Sequence, residues 1–191
     1  MNKRTLTYLN PVWDGYMADP FVLKHNGEYW AYGTSDRQSD GRWLPVLHST
    51  DLAHWDYVGG ALESLGPLEG IAYWAPEVVF QDGHFYMYYS AAVSPGDEGH
   101  RLRVATADNP DGPFRDLGRI LLPEAGFSID AHPFQDPKDG QWYLFFAKDF
   151  FDERAGTGIA VVPLASDMDS SGSPPHSPAR LLRLARLSTR S

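Results

Sequence analysis

The stretch "ADPFVLKHNGEYWAYGTS", residues 18–35, decides the fold, because its pattern returns twice further along the chain. It sets an acid, a Phe and a turn glycine ahead of aromatics at alternate positions. The later copies are "EVVFQDGHFYMYYS" from Glu77 and "DAHPFQDPKDGQWYLFF" from Asp130. Their glycines, Gly27, Gly83 and Gly140, are 56 and 57 residues apart, and Trp30, Tyr86 and Tyr143 keep the same spacing. In each copy two alternating runs flank "HNG", "QDG" or "KDG", which is the sequence signal of a β-hairpin.

A second pair of short runs follows in the first two units, "WLPVLHST" with "WDYVGGAL" and "LRVATAD" with "FRDLGRILL". Each unit therefore reads as four antiparallel strands, and four strands repeated at this interval make a propeller blade. No segment before residue 179 carries 3.6-residue periodicity long enough for a substantial helix. A β-sandwich also strings short strands together, but it has no reason to repeat an acid at one point of each unit. The expected fold class is all-β, a β-propeller with blades near 10–65, 66–124 and 125–168 inside a domain spanning 1–168. Propellers close with about 4–8 blades, so three make an incomplete one.

Residues 170–191 change character: six Ser, three Pro and four Arg, with no acid and no aromatic. The segment 169–191 reads as a disordered tail or out-of-frame text following a truncation, with "ARLLRLARL" as a short basic amphipathic stretch.

Composition excludes several functions. The 191 residues suffice for one domain, and an aromatic content of 14% argues for a packed or sugar-stacking protein. A formal net charge of −9 offers no basic stripe to nucleic acid and repels anionic lipid, so a small neutral partner is expected. Without cysteine there is neither a disulfide framework nor a thiolate metal site. No run approaches the ~20 apolar residues of a membrane helix, and "MNKRTLTYLNPVW" lacks an apolar signal core, so the expected location is the cytoplasm. The seven histidines show no His-Glu-x-x-His spacing, and there is no Gly-x-Ser-x-Gly elbow or phosphate-cradling glycine loop.

Acids at the starts of successive inner strands converge on one end of a propeller axis. Two carboxylates with separate duties are what glycosidic hydrolysis uses: one activates water and one protonates the leaving oxygen, ~6.5–9.5 Å apart for inversion.

The phrases "NPVWDGYMADPFVL", "YWAPEVVFQDGHFYMYYSAA" and "FSIDAHPFQDPKDGQWYLFFA" resemble the first three blades of glycoside hydrolase family 43. These are five-bladed propellers that include β-xylosidases, α-L-arabinofuranosidases and arabinanases, and the likeness covers about residues 9–168. The resemblance makes Asp19 the general base and Asp130 the acid that raises the pKa of the proton donor and orients it. Glu77 stands where the family usually has Asp in a Trp-Ala-Pro-Asp phrase, and is read as a pocket or structural acid. The family's proton donor is a Glu in a Glu-Gly-Pro phrase opening the fourth blade, expected here near or beyond residue 185. No such phrase occurs in the chain, and the only Glu after Asp130 is Glu153, in a stretch that reads as surface loop.

Trp74 and Tyr73 have the character of a sugar-stacking platform, although propeller aromatics also serve packing between blades. His132, two residues beyond Asp130, faces the same side of its strand and is taken with Trp74 and Glu77 as substrate-binding. An Asp before Pro at a strand start also fits a plain turn residue. Some family members hold calcium in the channel; no cofactor is read from these residues.

Two readings follow. The first is an inverting glycosidase of xylosides or arabinofuranosides from hemicellulose oligosaccharides. The second is a truncated, inactive propeller lacking its general acid, binding sugar weakly or associating with itself through unpaired blade edges.

Overall fold

Asn26-Gly27 and Asp82-Gly83 each place two successive residues at positive φ, 50° and 87° in the first pair and 50° and 88° in the second. That is the two-residue turn whose twist matches the strands on either side, and it closes the first hairpin of each of two sheets. The third hairpin uses a longer loop, Asp136 to Gln141, closed by Asp136 N–H to Gln141 C=O and by Gly140 at φ 76°. The extra residues of "DPKDG" are that longer loop.

The computed structural model describes residues 7–66, 71–93, 99–150, 155–165 and 167–168. The tail 169–191 and Glu153 lie outside the described residues. Eleven strands and one short 3-10 turn, Pro123–Ala125, account for the regular structure of the described residues.

Strands β1 (Ala18–His25), β2 (Glu28–Thr34), β3 (Trp43–Ser49) and β4 (Asp56–Leu62) form one antiparallel sheet in sequential order. Strands β5 (Ala72–Gln81), β6 (His84–Ala92), β7 (Arg101–Ala107) and β8 (Arg115–Ile120) form the next. The third contains β9 (Ser128–Gln135), β10 (Trp142–Asp149) and β11 (Thr157–Pro163). The first strands of the three sheets are neighbours, with β5 between β1 and β9. This is the radial arrangement of propeller blades, inner strands together and later strands outward.

The sheets stack through two apolar layers. Tyr32, Leu44, Val46 and Leu62 of the first blade meet Tyr73, Met87, Tyr89 and Phe114 of the second. Tyr88, Leu102 and Val104 on the opposite face of the second blade meet Leu144, Phe146, Ala160 and Val162 of the third. Strand alternation explains the division: consecutive residues Tyr88 and Tyr89 point to opposite faces, and both are fully buried. Each tyrosine hydroxyl finds an acceptor, Tyr89 on the Asp116 carboxylate at 2.5 Å and Tyr88 on the Met168 carbonyl at 2.5 Å. The first two blades are also tied by backbone bonds, Phe114 N–H to Ala61 C=O at 2.7 Å and Glu63 N–H to Phe114 C=O at 3.0 Å.

Candidate active site

Each inner strand carries a bulge near its start. In the first blade Asp19 and Pro20 stand opposite Gly33 alone, between the pairs Ala18 with Thr34 and Phe21 with Tyr32. Ala75 and Pro76 do the same between Trp74 with Ser90 and Glu77 with Tyr88. Asp130 and Ala131 complete the set, between Ile129 with Ala147 and His132 with Phe145. The first residue of every bulge is left-handed: φ is 48° at Asp19, 46° at Ala75 and 56° at Asp130. Asp is among the few non-glycine residues that accept this conformation readily, whereas Ala is not. The extra residue turns the first side chain of each bulge out of the strand's alternation, and both Asp19 and Asp130 are exposed.

This register corrects the repeated-acid pattern. The position equivalent to Asp19 and Asp130 in the second blade is Ala75, and Glu77 lies two residues beyond it. The glycine spacing contains the same information, since Ala75, not Glu77, stands 56 residues after Asp19, and Pro76 stands 56 after Pro20. Two blades deliver an acid at the bulge; the middle one delivers a methyl group.

Glu77 instead shares its register position with His132, and the two meet across the blade boundary: His132 Nδ1 and Glu77 Oε2 are 2.7 Å apart. Burial raises the Glu77 pKa above the ordinary carboxylate value, the His132 contact opposes that shift, and the Asp130 charge adds to it. Asp130 is raised as well, first by desolvation and then by the charge of Asp19. The charge of Asp19 reaches Asp130 and that of Asp130 reaches Glu77, which puts the three in one electrostatic neighbourhood, with His132 attached through Glu77.

Trp74 is half-buried, and its indole stacks on the buried His100 imidazole with centroids 3.7 Å apart and planes at 24°. One ring face is therefore occupied by protein, leaving at most the other for a sugar. Tyr73 is 1% exposed and packs between blades, with its hydroxyl accepting the Leu65 N–H at 3.0 Å, so it offers no platform. Among the described residues no group of three or more His, Asp or Glu is gathered to hold a metal ion.

One site residue is absent from the sequence reading. Thr34, the last residue of β2, donates its hydroxyl to Asp19 Oδ2 at 2.7 Å and accepts the Ala75 N–H at 2.8 Å. The repeat carried a signal for it: seven residues after each turn glycine stand Thr34, Ser90 and Ala147.

Blades set around neighbouring inner strands, two of them carrying a carboxylate on a matching bulge, define an incomplete β-propeller. The model of glycosyl hydrolases family 43 matches residues 8–181, and the chain belongs to that family. It is similar to xylosidase/arabinosidase 43A of Humicola insolens, 31% identical over 148 residues that make up 69% of this chain and 43% of the relative. A probable arabinan endo-1,5-alpha-L-arabinosidase B of Aspergillus oryzae is 32% identical over 168 residues, 81% of this chain and 44% of that protein. Among solved structures, a thermostable family-43 glycoside hydrolase superposes with a TM-score of 0.72 at 32% identity, over 85% of this chain and 53% of its own. The chain thus spans about half the length of the proteins it matches.

Proposed function

We propose that the protein serves the hydrolysis of O-glycosidic bonds in xylosides or arabinofuranosides, by inversion, with Asp19 as general base. The observation that carries this reading is the pair of equivalent bulges whose acids have different surroundings. Asp19 accepts the Thr34 hydroxyl hydrogen bond at 2.7 Å. Asp130 has no hydrogen bond to its carboxyl among the described residues and is pushed toward its protonated form by desolvation and by Asp19. A carboxylate that holds water and a neighbouring acid that raises the proton affinity of its surroundings are two of the three parts an inverting glycosidase uses. In this reading Glu77, His132 and the Trp74 ring face turned away from His100 contact the sugar.

A second reading has its own support: the 191 residues contain no Glu-Gly-Pro phrase. A chain with base and modulator but no proton donor binds sugar without cleaving natural linkages. The two readings part on the leaving group, because dinitrophenolate departs without protonation whereas a sugar alkoxide does not. Turnover of dinitrophenyl xyloside or arabinofuranoside that disappears in Asp19→Ala, with no cleavage of xylobiose, identifies a working base lacking its acid. Cleavage of both substrates supports the full hydrolase. Failure on both by folded protein refutes hydrolysis by this chain, and calorimetry with xylotriose then tests for binding alone.

A further inference from the structure

We propose that Thr34 is a positioning residue that singles out Asp19, of the two bulge acids, as the one that holds the attacking water; the functional half of this statement rests on the glycosidase reading above. A threonine hydroxyl has one proton to give and lone pairs to receive with. Here the Ala75 N–H of the neighbouring blade fills the receiving side at 2.8 Å, and the hydroxyl proton goes to Asp19 Oδ2 at 2.7 Å. An orientation with its proton toward the Ala75 N–H would set donor against donor, whereas the one toward Asp19 satisfies both partners. Its direction is therefore fixed from the second blade.

The backbone that does this is unusual. Ala75 is left-handed at φ 46° without the local side-chain hydrogen bonding that lets Asp or Asn stay there. Its bulge aims the N–H out of the β5–β6 ladder and across to β2, where Thr34 ends the strand. One oxygen of the Asp19 carboxylate is thereby held, and among the described residues Oδ1 accepts no hydrogen bond, so it is the oxygen that faces a nucleophile.

The third blade supplies the internal control. Its bulge matches the first in register and in left-handed backbone, but Ala147 occupies the position of Thr34, paired with Ile129 as Thr34 is with Ala18. A methyl group cannot donate to Asp130. The same fold position thus carries a carboxyl with a hydroxyl donor in one blade and one without it in the other, a division set by one side chain on the adjacent strand.

The test compares Thr34→Val, which keeps the shape and removes both hydrogen bonds, with Thr34→Ser, which keeps the hydroxyl. On a dinitrophenyl glycoside, Thr34→Val is expected to lower kcat about 10- to 100-fold, the worth of one hydrogen bond to a charged group, with KM within about twofold. Thr34→Ser is expected to restore kcat to within about threefold of the parent. A merely structural threonine would lower the folded fraction without this split and without rescue by Ser.

Nuclear magnetic resonance on the same full chain gives a reading that does not depend on turnover. The Ala75 amide proton and the Asp19 carboxyl carbon are expected to shift together at neutral pH in Thr34→Val and to stay in place in Thr34→Ser. If the parent shows no turnover while both resonances shift, the glycosidase reading fails and the positioning contact stands. Resonances that do not move in Thr34→Val, or a kcat left unchanged there, overturn the proposal.

Discussion

Replacing Asp19 by Asn is expected to stabilise the protein at neutral pH while abolishing any base function. The substitution isolates charge. Asn tolerates the left-handed backbone that Asp19 adopts at φ 48°, and its amide oxygen still accepts the Thr34 hydroxyl. What disappears is the Asp19 charge, which adds to the desolvation that raises Asp130. Both carboxyls are exposed, so solvent screens the interaction, and the gain is taken from the range for exposed charge pairs, about 0.2–1 kcal/mol. For a domain of this size that corresponds to roughly 1–4 °C in Tm. The sign follows from linkage: a carboxyl whose folded pKa is raised loses stability as pH rises from its unfolded value through its folded one. Above the raised folded pKa of Asp130 the repulsion is present, and Asn relieves its cost. Near pH 3, where Asp130 is protonated, the gain vanishes. Thermal unfolding of parent and Asp19→Asn at pH 3, 5 and 7 measures it. A variant no more stable at pH 7 than the parent, or a difference that does not change with pH, would refute the electrostatic coupling of the two bulges.

Three further outcomes test other parts of the structure. Asp116→Ala should cost about 3–5 kcal/mol in urea unfolding, because it removes the carboxylate that pairs with the buried Arg103 guanidinium, whose side chain is 8% exposed and bonds Asp116 at 2.7 and 3.0 Å; a loss under about 1 kcal/mol would contradict that account. Gly112→Ala should cost about 2–4 kcal/mol, since φ is +83° and a Cβ would lie 2.5 Å from the Ala61 carbonyl oxygen that accepts the Phe114 N–H between blades; an unchanged unfolding midpoint would mean that this junction is slack. His132→Ala removes the contact that opposes the raised pKa of Glu77, so Glu77 should move further up and the variant's stability deficit should be larger at pH 7 than at pH 4; a deficit independent of pH would detach the pair from titration.

The hairpins were legible because their turns need particular residues. Asn-Gly and Asp-Gly have a mechanism for positive φ, and the alternating aromatics around them state which side is buried. The bulges were legible only in part. A bulge adds one residue to one strand, so it shifts the alignment of everything before it while leaving the hairpin after it intact. Aligning the acids matched Glu77 with Asp19; aligning the glycines matches Ala75 with it, and the second alignment is the one the backbone follows. The Glu77–His132 contact and the Thr34 link were hidden for another reason, since each joins residues of different blades and depends on how far the sheets rotate about the axis, which no local pattern encodes.

The bulges also explain why one scaffold supports carboxylates of unlike character. A regular strand would send alternate side chains into the packed layers between blades, where an ionised acid is costly. The bulge releases one residue per blade from that alternation, so the acids reach the axial end while Phe21, Glu77 and His132, at the matching register two residues on, point toward adjacent blades. The backbone device is the same in all three sheets and cannot by itself tell the acids apart. Beside the desolvation and the Asp19 charge that raise Asp130, the acids differ in what the second strand offers next to the bulge: Thr34 in the first blade, Ser90 in the second and Ala147 in the third. Ser90 pairs with Trp74 next to a bulge that carries Ala75, not an acid, and its hydroxyl donates to the Trp74 carbonyl at 3.5 Å. The hydroxyl therefore bonds a carboxylate in one blade of the three. Introducing Ala147→Thr should give Asp130 the same donor, lower its pKa and erode the asymmetry between the two acids.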